Sequence, residues 1–114
     1  MSTIFSKIIN KEILVNIVYE DDLVLAFKDI TPQAPIHIII IPKVTDLKTL
    51  NDINEKHITL LGHIIFVATK IAKSEGISEN GYRIVMNCNA DGGQSIFHIH
   101  LHLLGGREMN WPPG

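Results

Sequence analysis

Cysteine is almost absent from this chain: one residue, Cys88, in 114. A single thiol excludes an internal disulfide and any metal site built from several cysteines, and it suits a reducing compartment. Arginine is nearly as scarce, with only Arg83 and Arg107 among ten Lys and Arg. Against twelve Asp and Glu this leaves a formal charge of −2, which offers no electrostatic footprint for a nucleic-acid backbone. Long apolar runs are missing as well. Ile38–Ile41 and Ile64–Ala68 are among the longest, far short of the roughly 20 residues that cross a bilayer. Residues 1–10 lack the apolar core and small-residue cleavage site of a signal peptide. The expectation is a cytoplasmic protein, with neither nucleic acid nor membrane as a partner.

What the chain does contain is enough for a packed core: 46% hydrophobic and 19% charged residues argue against disorder. The length suits one domain over residues 1–114 and is too short for a (β/α)8 barrel of about 250 residues. Thr3 to Ile13 reads as a short helix with Ile4, Ile8 and Phe5 on its buried stripe and Thr3 as cap. Ile17–Glu20 and Leu23–Lys28 read as strands around a turn at Asp21 and Asp22. Thr31–Pro35 is a stiff loop, and Ile36–Ile41 a strand covered on both faces with His37 embedded in it. A long helix follows. Asp52 and Glu55 have capping-box spacing ahead of the stripe Leu61, Ile64, Ile65, Ala68, Ile71 and Ala72, and Gly76 suits the end. Tyr82–Cys88 and Ile96–Leu104 read as strands on either side of a loop over Asn89–Gln94. The sum is an α+β fold: an antiparallel sheet of about five strands with one long helix against one face.

Three of the six histidines fall in five residues, His98, His100 and His102. Strand alternation puts all three on one face, open to solvent or ligand, and puts Ile99, Leu101 and Leu103 on the other, against the helix stripe. His57 and His63, by contrast, read as ordinary helix-face residues, and Cys88 as packing. Two chemistries could use the row. One is a metal centre, with His37 as an added ligand. The outer Cα atoms, however, are about 13 Å apart on an extended strand, too far for all three rings to share an ion. The other is phosphoryl or nucleotidyl transfer through a histidine nucleophile, since imidazole is neutral near pH 7 and its neighbours can hold phosphate oxygens and carry protons. The loop Asp91-Gly-Gly-Gln-Ser95 lies directly before the row, and its glycines allow backbone N–H groups close to an anion.

His98-Ile-His-Leu-His-Leu-Leu104 resembles the His-φ-His-φ-His-φ-φ signature of the histidine triad (HIT) family. Asp91-Gly-Gly-Gln-Ser95, Leu104-Gly-Gly-Arg107 and Trp111-Pro-Pro-Gly114 resemble its Hint branch. So do Thr3-Ile-Phe-x-Lys-Ile-Ile9, Ala26-Phe-x-Asp-Ile30 and Pro32-Gln-Ala-Pro-x-His37. The resemblance covers essentially the whole chain. It implies a homodimer with its sheet extended across the two-fold axis, and a purine nucleotide-binding hydrolase that cleaves nucleoside 5′-phosphoramidates to AMP and amine without a cofactor or metal. It implies that His100 is the nucleophile and becomes nucleotidylated, with His98, His102 and His37 orienting it, holding phosphate and passing protons. Ser95 would lie near the leaving amine, and Gly93 and Gln94 would supply loop contacts to phosphate. Asp29 would take the ribose hydroxyls, Asn87 would lie beside sugar and phosphate, and Ile4, Phe5, Ile8, Ile13, Phe27 and Ile30 would form the slot for the base. The tail with Trp111 would reach the partner subunit's site. The alternative is a nucleotide-binding regulatory or scaffold module with vestigial catalysis, which would keep the same pocket.

Overall fold

The structure, a computed structural model, describes residues 2–114. Five strands form one antiparallel sheet in the order β1-β2-β3-β5-β4: β1 Ile17–Glu20, β2 Val24–Lys28, β3 Ile36–Pro42, β4 Tyr82–Val85 and β5 Leu101–Gly105. Two helices accompany it, α1 at Ile4–Ile9 and α2 at Ile58–Ser74. The α+β reading therefore holds.

Strand parity decides what each face carries. Val24 and Ala26 of β2, Ile38 and Ile40 of β3, and Leu101 and Leu103 of β5 pack against Ile64, Val67, Ala68, Ile71 and Ala72 of α2. Those helix positions recur at i, i+3, i+4, i+7 and i+8, one apolar stripe; each buried Val or Ile among them contributes about 1.5–3 kcal/mol. Val67 belongs to this stripe and Ile65 does not, being exposed. The opposite parity, Leu25, Phe27, Ile39 and Ile41, meets Phe5 and Ile8 of α1. A six-residue helix is unstable alone, so this contact is what holds it. Ile4 is exposed rather than part of the buried stripe, since Phe5 and Ile8 turn α1 onto the sheet.

Four element ends differ from the sequence expectation by more than one residue. The first helix stops at Ile9 instead of running to Ile13. Asp52 does not cap the long helix. It lies in a short 3₁₀ turn capped by Thr49, its carboxylate accepting the Lys48 and Thr49 N–H groups, and α2 starts at Ile58. A strand to Cys88 is also too long: β4 ends at Val85, whose partner is His102. The last strand starts at Leu101, not Ile96, and residues 96–98 are bent. Proline has no N–H, so Pro42 at the end of β3 cannot extend the ladder past the Ile40–Leu101 pair. Instead the Ile99 N–H donates to Leu47 O in the connection after β3.

Candidate active site

The three histidines share the sheet face covered by α1, with Phe5 edge-on to His98 at 6.0 Å and to His100 at 5.0 Å, but they differ in burial. His98 is only 1% exposed, and its Nε2–H donates to Pro42 O at 2.9 Å. It therefore faces the interior, not an open surface. His100 and His102 do line a cavity of about 460 Å³, together with Asp29, Asn87, Gly93 and Ser95 at one end. Ile4, Phe5, Ile8, Ile13, Phe27 and Ile30 line the rest, with Leu14, Val15, Ile39 and Ile96, which the sequence reading missed. Ile39 was legible in principle, because it has the parity of His37 on β3. Ile30 is 87% exposed and forms rim rather than wall.

His37 and Gln94 are not in the wall. Ile39 pairs with His102 across β3 and β5, so His37, two residues along, is the diagonal neighbour of His102 on the same face. Gln94 has spent its side chain elsewhere: its Oε1 accepts the Asn89 N–H, and its Nε2 donates to Lys48 O and Ile96 O. Both amide hydrogens of Gln94 are thus engaged within the protein. The backbone around it makes a tight turn. Gly93 has φ +80°, and a Cβ on Gly92 would lie 2.5 Å from Cys88 O, so the turn tolerates no side chain there.

Hydrogen-bond partners fix the imidazole tautomers, because a carbonyl only accepts and a backbone N–H only donates. His100 Nδ1–H donates to His98 O at 2.7 Å, leaving its lone pair on Nε2. His37 Nδ1 accepts the Gln33 N–H at 3.0 Å, so the His37 proton is on Nε2 and is given to His102 Nδ1 at 2.9 Å. His102 then carries its own proton on Nε2, its one unspent donor. The two cavity rings thus differ: His100 offers a lone pair and His102 a proton.

Burial favours the neutral form of all four rings and lowers their pKa values. For His102, burial together with the neighbouring His100 and His37 pushes the value down to about 4. Asp29 opposes the shift at His37, His100 and His102. Phe5 stands edge-on to His100 at 5.0 Å and to Phe27 at 5.7 Å, so α1 both closes the apolar end and steadies the His100 ring. The ligand atoms of Asp29, His37 and His102 lie within 4.8 Å of one another, the spacing of a possible metal set.

Residues 10–109 match the HIT domain family. The chain is 60% identical over 113 residues to a 14 kDa zinc-binding protein of Zea mays, covering 98% of this chain and 88% of that protein. It is 59% identical over 107 residues to the purine nucleoside phosphoramidase of Escherichia coli K12, covering 94% and 89%. A crystal structure of a HIT family hydrolase from Legionella pneumophila Philadelphia 1 superposes with a TM-score of 0.96 at 53% identity, over 99% of this chain and all of that one.

Proposed function

The chain belongs to the HIT domain family, and from that premise we propose that it is a purine nucleotide-binding hydrolase that cleaves nucleoside 5′-phosphoramidates to AMP and amine. The observation that carries this reading is the opposite protonation of two adjacent cavity rings, a lone pair on His100 Nε2 beside a donor on His102 Nε2. His100 Nε2 attacks phosphorus, a bond forms from this nitrogen, and the P–N bond of the substrate breaks. The amine leaves with the bonding electrons and a proton from His102. The anionic phosphate favours a second proton on His102, taken at Nδ1, while the His37 Nε2–H turns from His102 to Asp29 Oδ2, 3.5 Å away. Water, deprotonated by the now neutral His102, then releases AMP and restores His100. The Gly93 turn and Ser95 hold phosphate oxygens and the leaving group, and Asn87 lies beside them. Asp29 takes the ribose, and Phe5, Ile8, Ile13 and Phe27 enclose the base with Ile4 and Ile30 at the rim. An apolar slot with few directional groups suits a purine without strong choice between purines. Residues 1–114 act as one domain, in a homodimer, and the lone Cys88 suits a reducing cytoplasm.

A metal is the competing occupant, suggested by the zinc-binding relative and by the Asp29, His37 and His102 cluster. The donor set does not fit. A ligand nitrogen must turn a lone pair to the ion, yet His37 Nδ1 is held by the Gln33 N–H, which keeps the His37 proton on Nε2, the atom facing the cluster. Turnover is therefore expected to survive exhaustive chelation, and loss of activity restored by stoichiometric zinc would favour the metal reading. The deciding experiment is a quenched single turnover with an adenosine phosphoramidate. Nucleotide is expected on His100 alone. His100→Asn keeps an amide donor for His98 O but no ring lone pair, and its turnover should drop by at least about a thousandfold while AMP still binds. A parent protein that binds AMP and never forms the adduct would be a nucleotide-binding module instead.

A further inference from the structure

His37 has a second contact whose own support lies outside the cavity. The Gln33 N–H that fixes the His37 proton sits in the loop between β2 and β3, between Pro32 and Pro35. On the other side of the same Cα, the Gln33 carbonyl accepts two hydrogen bonds from Arg107, from Nε at 3.2 Å and Nη2 at 3.0 Å. The third arm of the guanidinium, Nη1, donates to Glu108 O at 3.0 Å. The turn that carries Arg107 is seated on the same loop. Gly106 has φ +90°, and a Cβ there would come within 2.9 Å of Pro35 Cβ, so this close approach depends on glycine.

We propose that Arg107 is a positioning residue of the hydrolytic reaction, its planar fork holding the Gln33 backbone so that the Gln33 N–H sets the proton of His37 and, through it, that of His102. The inference rests on the hydrolase reading above. Its structural basis is a continuous chain of four groups: Arg107 to Gln33 O, Gln33 N–H to His37 Nδ1, and His37 Nε2–H to His102 Nδ1. Every link has one possible direction, because guanidinium only donates, carbonyl only accepts and backbone N–H only donates. The exposed guanidinium contributes little by charge in solvent. What it contributes is geometry, two rigidly linked donors converging on one oxygen, which a lysine ammonium cannot reproduce. If the Gln33 backbone turns away, His37 loses the partner that selects its tautomer. A proton on His37 Nδ1 leaves Nε2 as an acceptor, and His102 then turns its proton inward towards His37 instead of into the cavity.

Two measurements test this, one with substrate and one without. In Arg107→Ala, kcat is expected to fall roughly tenfold while KM stays within about twofold, because the lost feature is the proton on His102 and not the nucleotide pocket. In a His37→Ala background the same substitution should change kcat by less than about twofold, since the link is already broken. An equal loss in both backgrounds would show that Arg107 acts only as a staple of the loop, and would overturn the proposal. Nitrogen-15 NMR of the imidazoles reads the tautomers directly in the protein without ligand. The parent should show protonated Nε2 on both His37 and His102, and Arg107→Ala a mixture of tautomers on both. Unchanged ring signals would equally overturn it. Should the alanine variant fail to fold, Arg107→Lys, which keeps the charge and loses the fork, is read in the same two ways. A parent without turnover defeats the hydrolase reading, whereas the ring signals report on Arg107 regardless.

Discussion

Four imidazoles gather on one side of the sheet, and what each ring nitrogen touches gives each a different task. His98 is committed to Pro42 O, His37 lies between a backbone N–H and His102, and only His100 and His102 face the cavity. Composition and spacing singled out these residues, but the sequence alone could not assign protons, since the partners that do so are backbone atoms of Pro42, Gln33 and His98. Burial lowers the pKa of all four, and the consequence for pH has a definite sign. Between each folded value and the ordinary imidazole value of about 6.5 the unfolded chain binds more protons, so stability rises with pH there. It is fully present above about pH 6.5 and is lost as pH falls through the folded values, with His102 last at about 4. Urea midpoints are thus expected to be flat above neutrality and to decline through this window. Asp21, Glu20 and Asp52, with carboxyl pKa values held low, add their losses only at more acid pH. By the same shift at His100, the acid limb of kcat/KM should lie below the ordinary imidazole value. A midpoint independent of pH down to 4, or an acid limb above 6.5, would contradict burial as the controlling influence.

At the scale of elements, alternation was the reliable signal. Ile36–Ile41 as a doubly covered strand and the helix positions Ile64, Ala68, Ile71 and Ala72 could all be read directly. Termini were not legible, because they depend on contacts distant in sequence. Pro42 stops a ladder with a strand almost sixty residues later, and the Thr49 and Asn54 turns take over the start that Asp52 resembled. Gln94 is the sharpest case. Its place in a Gly-Gly-Gln-Ser motif suggested a ligand contact, whereas its amide joins the loop at Asn89 to Lys48 and Ile96. The Gln94 N–H also donates to Asn89 O, so both backbone groups of Asn89, at φ 58°, are held by one residue. This staple sets the position of Gly93 and Ser95. Gln94→Leu nearly keeps the volume but strands one N–H and two carbonyls, at about 1–3 kcal/mol for each group that stays dry. The expected result is a lower urea midpoint together with AMP affinity reduced several-fold, measured by calorimetry on the folded variant. Lower stability with AMP affinity unchanged would mean that the phosphate turn is held by other contacts.

For the whole molecule, the sheet has two open edges, β1 and β4. Unpaired N–H and C=O groups along an edge favour pairing with a second copy, and a two-fold axis lets one strand meet itself antiparallel. The β4 edge suits this better, since it exposes two large apolar side chains, Tyr82 and Ile84, whereas β1 exposes Ile17 alone and ends in Glu20, paired with Lys11 and Lys43. Arg83, between Tyr82 and Ile84, donates from Nη2 to Asn110 O at 3.0 Å. The tail is therefore tethered at the same edge, and Trp111, 82% exposed, is presented beside it. A large aromatic left in water next to a pairing edge is a natural anchor for a partner's groove. Two variants separate the roles of strand and tail. Ile84→Lys puts a charge on each side of the proposed axis and should give a monomer by sedimentation at micromolar concentration, where the parent is expected to be a dimer. Deletion of residues 110–114 removes the anchor but no strand, so dimerisation and the adduct on His100 should persist while the ranking of amine leaving groups changes. A monomeric parent would rule out pairing through β4. An unaltered ranking after deletion would mean that Trp111 does not reach the site where the amine departs.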